Sequence, residues 1–163
     1  MKFHNITNCD ILNGEGVRVV LWVSGCSHHC KGCHNAITWD ENDGLIFDEN
    51  AKKELFTYLS SEDINGITFS GGDPLFMGNR EEIGKLIEEV SVKFPSKNIW
   101  LYTGYLWEDI KHLPFIKFID VIVDGRFEQD KFDATLLWKG SSNQRVIDVK
   151  QSLKTNNIVL HCK

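Results

Sequence analysis

Three cysteines, Cys26, Cys30 and Cys33, stand in the run Ser24-Gly25-Cys26-Ser27-His28-His29-Cys30-Lys31-Gly32-Cys33-His34-Asn35. Thiolates this close on one loop can hold three corners of a [4Fe–4S] cube and leave the fourth iron without a cysteine. An iron with an open position can bind a small molecule and pass it an electron, which a four-cysteine carrier does less readily. With His28, His29 or His34 as a fourth ligand, the same thiols could form a Cys3His zinc site. Such sites usually come as two separated ligand pairs that clamp a fold together, and no second pair lies downstream. Cys9 and Cys162 are far apart and have no motif neighbours; they read as ordinary packed or surface thiols.

A second informative run is Thr68-Phe69-Ser70-Gly71-Gly72-Asp73-Pro74. Consecutive glycines allow positive φ and close approach of backbone to a ligand. Asp73 adds an acceptor, and Pro74 fixes the exit of the turn. Alone, the run also reads as a tight strand-to-helix turn. Beside a cluster that binds an amino acid, backbone carbonyls and the Asp73 carboxylate would suit the ammonium group.

These groups must be positioned by the rest of the chain, whose pattern alternates strand and helix. Apolar, β-branched runs predict strands over 17–24, 66–70, 98–103, 118–124, 144–149 and 157–161. Four-residue apolar spacing predicts helices over 48–59, capped by Asp48, and 79–94, with Asn79 and Glu82 as a capping box. Shorter helices are expected over 106–113 and 150–154. Strands bridged by helices favour parallel pairing. Several strands end in Ser, Thr or Asp followed by glycine, and ligands bind at the carboxyl ends of parallel strands. The candidate chemistry therefore gathers on one rim. The expected fold is α/β, an open partial (βα) barrel with a mostly parallel sheet of five or six strands, in one domain over 1–163.

The net charge of -5 with no Lys/Arg block argues against a nucleic-acid binder. The longest near-apolar run, 17–23, is too short to cross a bilayer, and the N-terminal residues lack the apolar core of a signal peptide. A cytoplasmic location follows as the expectation, where clustered cysteines point to metal rather than to disulfides.

The cysteine triplet followed by Ser70-Gly71-Gly72-Asp73-Pro74 resembles the radical S-adenosylmethionine superfamily. Asn13-Gly14-Glu15-Gly16-Val17-Arg18 resembles the Asp-Gly-x-Gly-x-Arg lead-in of its glycyl-radical activating enzymes. Cys30 to Asn35 through Thr38-Trp39, then Trp100 to Gly104, Val123-Asp124-Gly125 and Gly140 to Arg145, look like the branch that activates anaerobic ribonucleoside-triphosphate reductase. The likeness runs over about residues 1–150. It implies a [4Fe–4S] cluster on Cys26, Cys30 and Cys33, with S-adenosylmethionine chelating the open iron. An electron from a low-potential donor would cleave the sulfonium bond. The resulting 5′-deoxyadenosyl radical would take a hydrogen from a glycine of the reductase large subunit.

The resemblance also implies cosubstrate contacts from Gly71, Gly72 and Asp73, from Tyr102 and Thr103 at one strand end, and from Asp124 and Arg126 at the next. Arg145 joins them as a group able to hold a carboxylate bidentately. Two residues depart from the superfamily pattern. Gly32 stands where an aromatic residue often contacts adenine, which leaves His34 as the nearest planar group. Asp73 stands where glutamate is common. Two other readings stay open: a small radical enzyme acting on a free metabolite, and a non-catalytic zinc module.

Overall fold

The computed structural model describes residues 1–161. The chain runs β1 (Lys2–Asp10), β2 (Arg18–Val23), β3 (Leu45–Ile46), α1 (Glu49–Leu59), β4 (Gly66–Gly71), α2 (Arg80–Lys93), β5 (Asn98–Tyr102), α3 (Trp107–Ile110), β6 (Val121–Asp124), β7 (Arg145–Asp148) and α4 (Val149–Thr155). All seven strands form one open sheet in the order β3-β1-β2-β4-β5-β6-β7. The pairs β2–β4, β4–β5 and β5–β6 are parallel, and the three outer pairs are antiparallel. The sheet is thus mixed and seven-stranded, not mostly parallel with five or six strands.

The strands absent from the sequence reading are β1 and β3. Only Phe3 and Ile6 of β1 reach the core, and its register slips twice against β2, so no clean alternation marks it. The strand expected at 157–161 is reduced to a single bridge between Ile147 and Leu160. A 3-10 turn over Ile116–Phe118 takes the start of the run expected as strand from 118. Residues 106–113 supply only one helical turn, α3. Among the described residues, no helix is long and apolar enough to cross a membrane.

The helices follow from pattern and capping. Asp48 accepts from the N–H groups of Asn50 and Ala51, and Ala51, Leu55 and Leu59 face the core. α2 buries Ile83, Leu86, Ile87 and Val90. The capping box at its start does not form. Asn79 instead turns its amide to the Ser24 carbonyl, and Glu82 meets the N-terminal ammonium.

The two faces of the sheet differ. Val19, Leu21, Val23, Ile67, Phe69, Ile99 and Leu101 pack with α1 and α2 in the main core. The alternate positions, among them Arg18, Thr68, Ser70, Trp100 and Tyr102, point the other way. Arg18 is fully buried there and, among the described residues, has no carboxylate among its acceptors. Its Nε donates to Thr68 Oγ1 at 2.7 Å, and its terminal nitrogens reach the Ile67, Glu15 and Asn98 carbonyls and Asn98 Oδ1. The guanidinium lies 5.2 Å from the Trp100 ring centroid. Burial lowers its pKa to about 10, still a cation at neutral pH. Arg18 therefore ties together the starting ends of β2, β4 and β5.

Arg18→Met keeps the bulk and leaves those acceptors unpaired. It should lower the unfolding free energy of the metal-free protein by roughly 2–4 kcal/mol, measured by urea denaturation. A change below about 0.5 kcal/mol would show that Arg18 does not tie the strands.

Candidate metal centre

The segments that follow β2, β4, β5 and β6 meet at one end of the sheet. After β2 the chain enters an irregular loop that carries Cys26, Cys30 and Cys33. This loop has little secondary structure of its own, so bonds to its neighbours must seat it. Gly25 N–H and Cys26 N–H donate to the carbonyls of Thr38 and Trp39, closing the loop's base. Gly72 N–H donates to Val23 O and Asp73 N–H to Gly25 O, both at 2.8 Å, so the turn after β4 grips the root of the loop. Asn35 Nδ2 donates to Gly71 O at 3.0 Å from the far side.

That grip explains the paired glycines. Gly71 has φ +110°, and a Cβ there would lie 2.4 Å from Val23 N. A Cβ on Gly72 would lie 2.5 Å from Gly25 O and 2.8 Å from Thr38 O. Side chains are excluded at both positions because three backbone segments pass close together. A branched residue at 72 would disturb the seat of the loop before it touched a ligand.

One cavity of about 330 Å3 opens at this junction. Cys26, Cys30, Cys33 and His34 line it from the cysteine loop, and Gly71, Gly72, Asp73, Tyr102 and Thr103 from the ends of β4 and β5. The loops at 12–13 and 125–144 complete the wall with Leu12, Asn13, Phe127, Leu136, Trp138 and Gln144. Gln144 shapes the last of these: its carbonyl accepts from the Gly140 and Ser141 N–H groups and its amide donates to Gly125 O. Asn13 and Asn35 stand in the motif runs but were not read as cavity residues, and Phe127 was missed in the sequence reading. The 127–138 residues carry no motif, and only the path of the loop brings them here. Gln129 packs beside Gly32, within 2.8 Å of where a side chain there would begin.

The other expected contacts fall differently. Asp124 is fully buried; it caps α3 through Trp107 N–H at 2.7 Å and binds Arg145 in a fork. Arg145 also pairs with Glu108. Neither lines the cavity, and each already has a charged partner. Arg126 donates to His28 Nδ1 at 3.1 Å. Burial pushes the Tyr102 phenol well above its ordinary range, so it is neutral.

The thiols suit a cluster. All three are partly exposed, unpaired and on one cavity. Burial, the largest influence, pushes the Cys26 thiol up, whereas backbone N–H groups at His28 and His29 favour its thiolate. Asn35 N–H donates to Cys33 Sγ at 3.4 Å. Such N–H···S bonds are among the protein's means of tuning a cluster. Among the described residues, no three His, Cys, Asp or Glu side chains close around a point suited to one ion. Cys9 is exposed on β1, and Cys162 lies outside the described residues.

A family model described as a 4Fe-4S single cluster domain matches residues 12–147. A protein of Enterobacteria phage T4 named anaerobic ribonucleoside-triphosphate reductase-activating protein is 49% identical over 146 residues, covering 90% of this chain and 93% of its own. Proteins of the same name are similar in Escherichia coli K12, 41% identical over 90% of this chain and 97% of theirs. In Vibrio cholerae the figures are 37%, 88% and 96%.

Anaerobic reconstitution of the protein should give about four irons with matching sulfide. Cys26→Ala, Cys30→Ala and Cys33→Ala should each lose the intact cluster, and Cys9→Ala should keep it. Elemental analysis checks this; one zinc per chain, or iron loss in Cys9→Ala as complete as in Cys30→Ala, would refute the assignment.

Proposed function

The chain belongs to the family of anaerobic ribonucleoside-triphosphate reductase-activating proteins, and on that premise we propose that it is a radical S-adenosylmethionine activase that generates a glycyl radical on the large subunit of that reductase. The observation that carries this reading is a single cavity lined by all three motif cysteines and by the Gly71–Gly72 turn.

Cys26, Cys30 and Cys33 would hold a [4Fe–4S] cluster. When reduced by a low-potential one-electron donor, that cluster would supply the electron that cleaves the sulfonium bond of S-adenosylmethionine. This chain's own residues bind, orient and enclose. The bare backbone at Gly71 and Gly72 would let the methionine end approach, with main-chain carbonyls as acceptors for its ammonium. Tyr102, neutral at the cavity wall, would flank the cosubstrate, and His34 would offer its ring to the adenine. Thr103 would act through its neighbours, since its hydroxyl donates to Asp73. Asp124 and Arg145 would hold the floor from behind, with Arg126 bracing the cysteine loop. Phe127, Leu136 and Trp138 would exclude water, which a reactive carbon radical requires. On this reading the cavity-lined face of the sheet is the wall of a partial barrel in a single, cytoplasmic domain.

The exposed side chains near the cavity favour a protein substrate over a free metabolite. Ile11, Leu12, Phe132 and Leu137 are each at least 60% exposed, on the two loops that supply one wall of the cavity. An apolar rim of this kind suits a glycine-bearing loop of a large partner, whose arrival would complete the enclosure.

The test is anaerobic: cluster-loaded protein, a strong reductant, S-adenosylmethionine and the reductase, followed by electron paramagnetic resonance. A stable organic radical should appear on the reductase, and should vanish when S-adenosylmethionine is omitted or the target glycine is replaced by alanine. Cosubstrate cleavage without any radical on the reductase, under conditions where every component is active, would contradict the proposal.

A further inference from the structure

The Asp73 carboxylate is already saturated by the protein. Its Oδ1 accepts from Leu75 N–H at 2.8 Å and from Thr103 Oγ1 at 2.9 Å. Its Oδ2 accepts from Gly104 N–H at 2.9 Å and meets His28 Nε2 at 2.8 Å. A carboxylate offers about four acceptor sites, and these donors fill them. Both partners of the histidine contact are buried, with side chains 8% and 2% exposed.

His28 is held at its other nitrogen as well. Arg126 Nε–H donates to His28 Nδ1 at 3.1 Å, and the same guanidinium reaches the His28 carbonyl. A ring nitrogen that accepts an N–H bond carries no proton, so the proton sits on Nε2 and points at Asp73. The ring lies against bare backbone: a Cβ on Gly104 would be 2.4 Å from His28 Cδ2. Tyr105 packs edge-on against it, centroids 4.7 Å apart.

We propose that His28 is a positioning residue that fastens the cysteine loop to Asp73. Asp73 is then the anchor of that loop, not the acceptor for the cosubstrate's ammonium. The inference rests on the cluster reading, because His28 stands between Cys26 and Cys30 and its bond sets where those thiols lie relative to the Gly71–Gly72 turn. Asp73 receives donors from the cysteine loop, from its own turn and from the end of β5, so one carboxylate fixes all three. Arg126 keeps the imidazole in the tautomer that can donate.

The test is a double-mutant cycle on reconstituted protein without S-adenosylmethionine. Asp73→Asn turns an acceptor into a donor facing Gly104 N–H or His28 Nε2–H. His28→Phe keeps a ring and removes both nitrogens. Each should speed iron loss to a chelator by at least about fivefold, and the double variant should be no faster than the worse single one. The paramagnetic spectrum of the reduced cluster should shift in the same direction in both. His28→Gln, whose amide can donate to Asp73 and accept from Arg126, should restore most of the retention and the parent spectrum. Normal iron retention and spectrum in Asp73→Asn, with only cosubstrate affinity weakened, would overturn the proposal and make Asp73 a ligand. Additive effects of the two substitutions would overturn it equally. If His28→Phe does not accumulate as folded protein, Asp73→Asn compared with the parent and His28→Gln decides alone. A parent protein that holds no iron would instead refute the cluster reading, a separate outcome.

Discussion

A carboxylate buried at the junction of three chain segments constrains the whole site. Removing an ionised group from water is costly unless protein donors replace the solvent. Asp73, 1% exposed, meets that requirement with donors from its own turn and from residues 30, 31 and 45 positions away. Those donors cannot be supplied unless the cysteine loop, the Gly71–Gly72 turn and the end of β5 arrive together. The two glycines let the segments come close enough, and the main-chain bonds from Gly72 and Asp73 to Val23 and Gly25 fix their spacing. The loop with the thiols has almost no regular structure, so its shape is borrowed from this junction.

The two ends of the central strands are fastened by different means, and the difference leaves one end free for chemistry. At the starting ends, Arg18 spans β2, β4 and β5 with neutral acceptors and an aromatic face. At the finishing ends, the strands give way to loops lined with polar groups and bare backbone, and the cavity opens there. Asp124 and Arg145 do similar structural work at the end of β6, capping α3 and tying β6 to β7. Much of the charge near the site is thus already paired within the protein, which limits which residues can meet a ligand directly.

How much of this was legible in the sequence depends on whether a residue's role is local. The cysteine spacing, the Gly-Gly turn and the apolar central strands are short-range signals, and the structure puts them together as expected. β1 carried no such signal, because only Phe3 and Ile6 of its nine residues are buried. Asn79 looked like a helix cap from its neighbours, but the Ser24 carbonyl, distant in sequence, claims its amide. The charged residues Asp124 and Arg145 read as ligand contacts because a sequence does not reveal that two charges will pair with each other. His28 was visible as a histidine between two cysteines, yet its partner is 45 residues away, across a strand pairing that pattern alone does not place.

The proposed activity requires a hydrogen atom to leave a glycine of the reductase at this cavity. The most direct measurement is isotopic. Reductase labelled with deuterium at its glycine α-carbons is activated anaerobically, and the released 5′-deoxyadenosine is analysed by mass spectrometry. Each radical formed should leave one deuterium in that product. Formation of the radical with unlabelled 5′-deoxyadenosine would contradict the proposed activity.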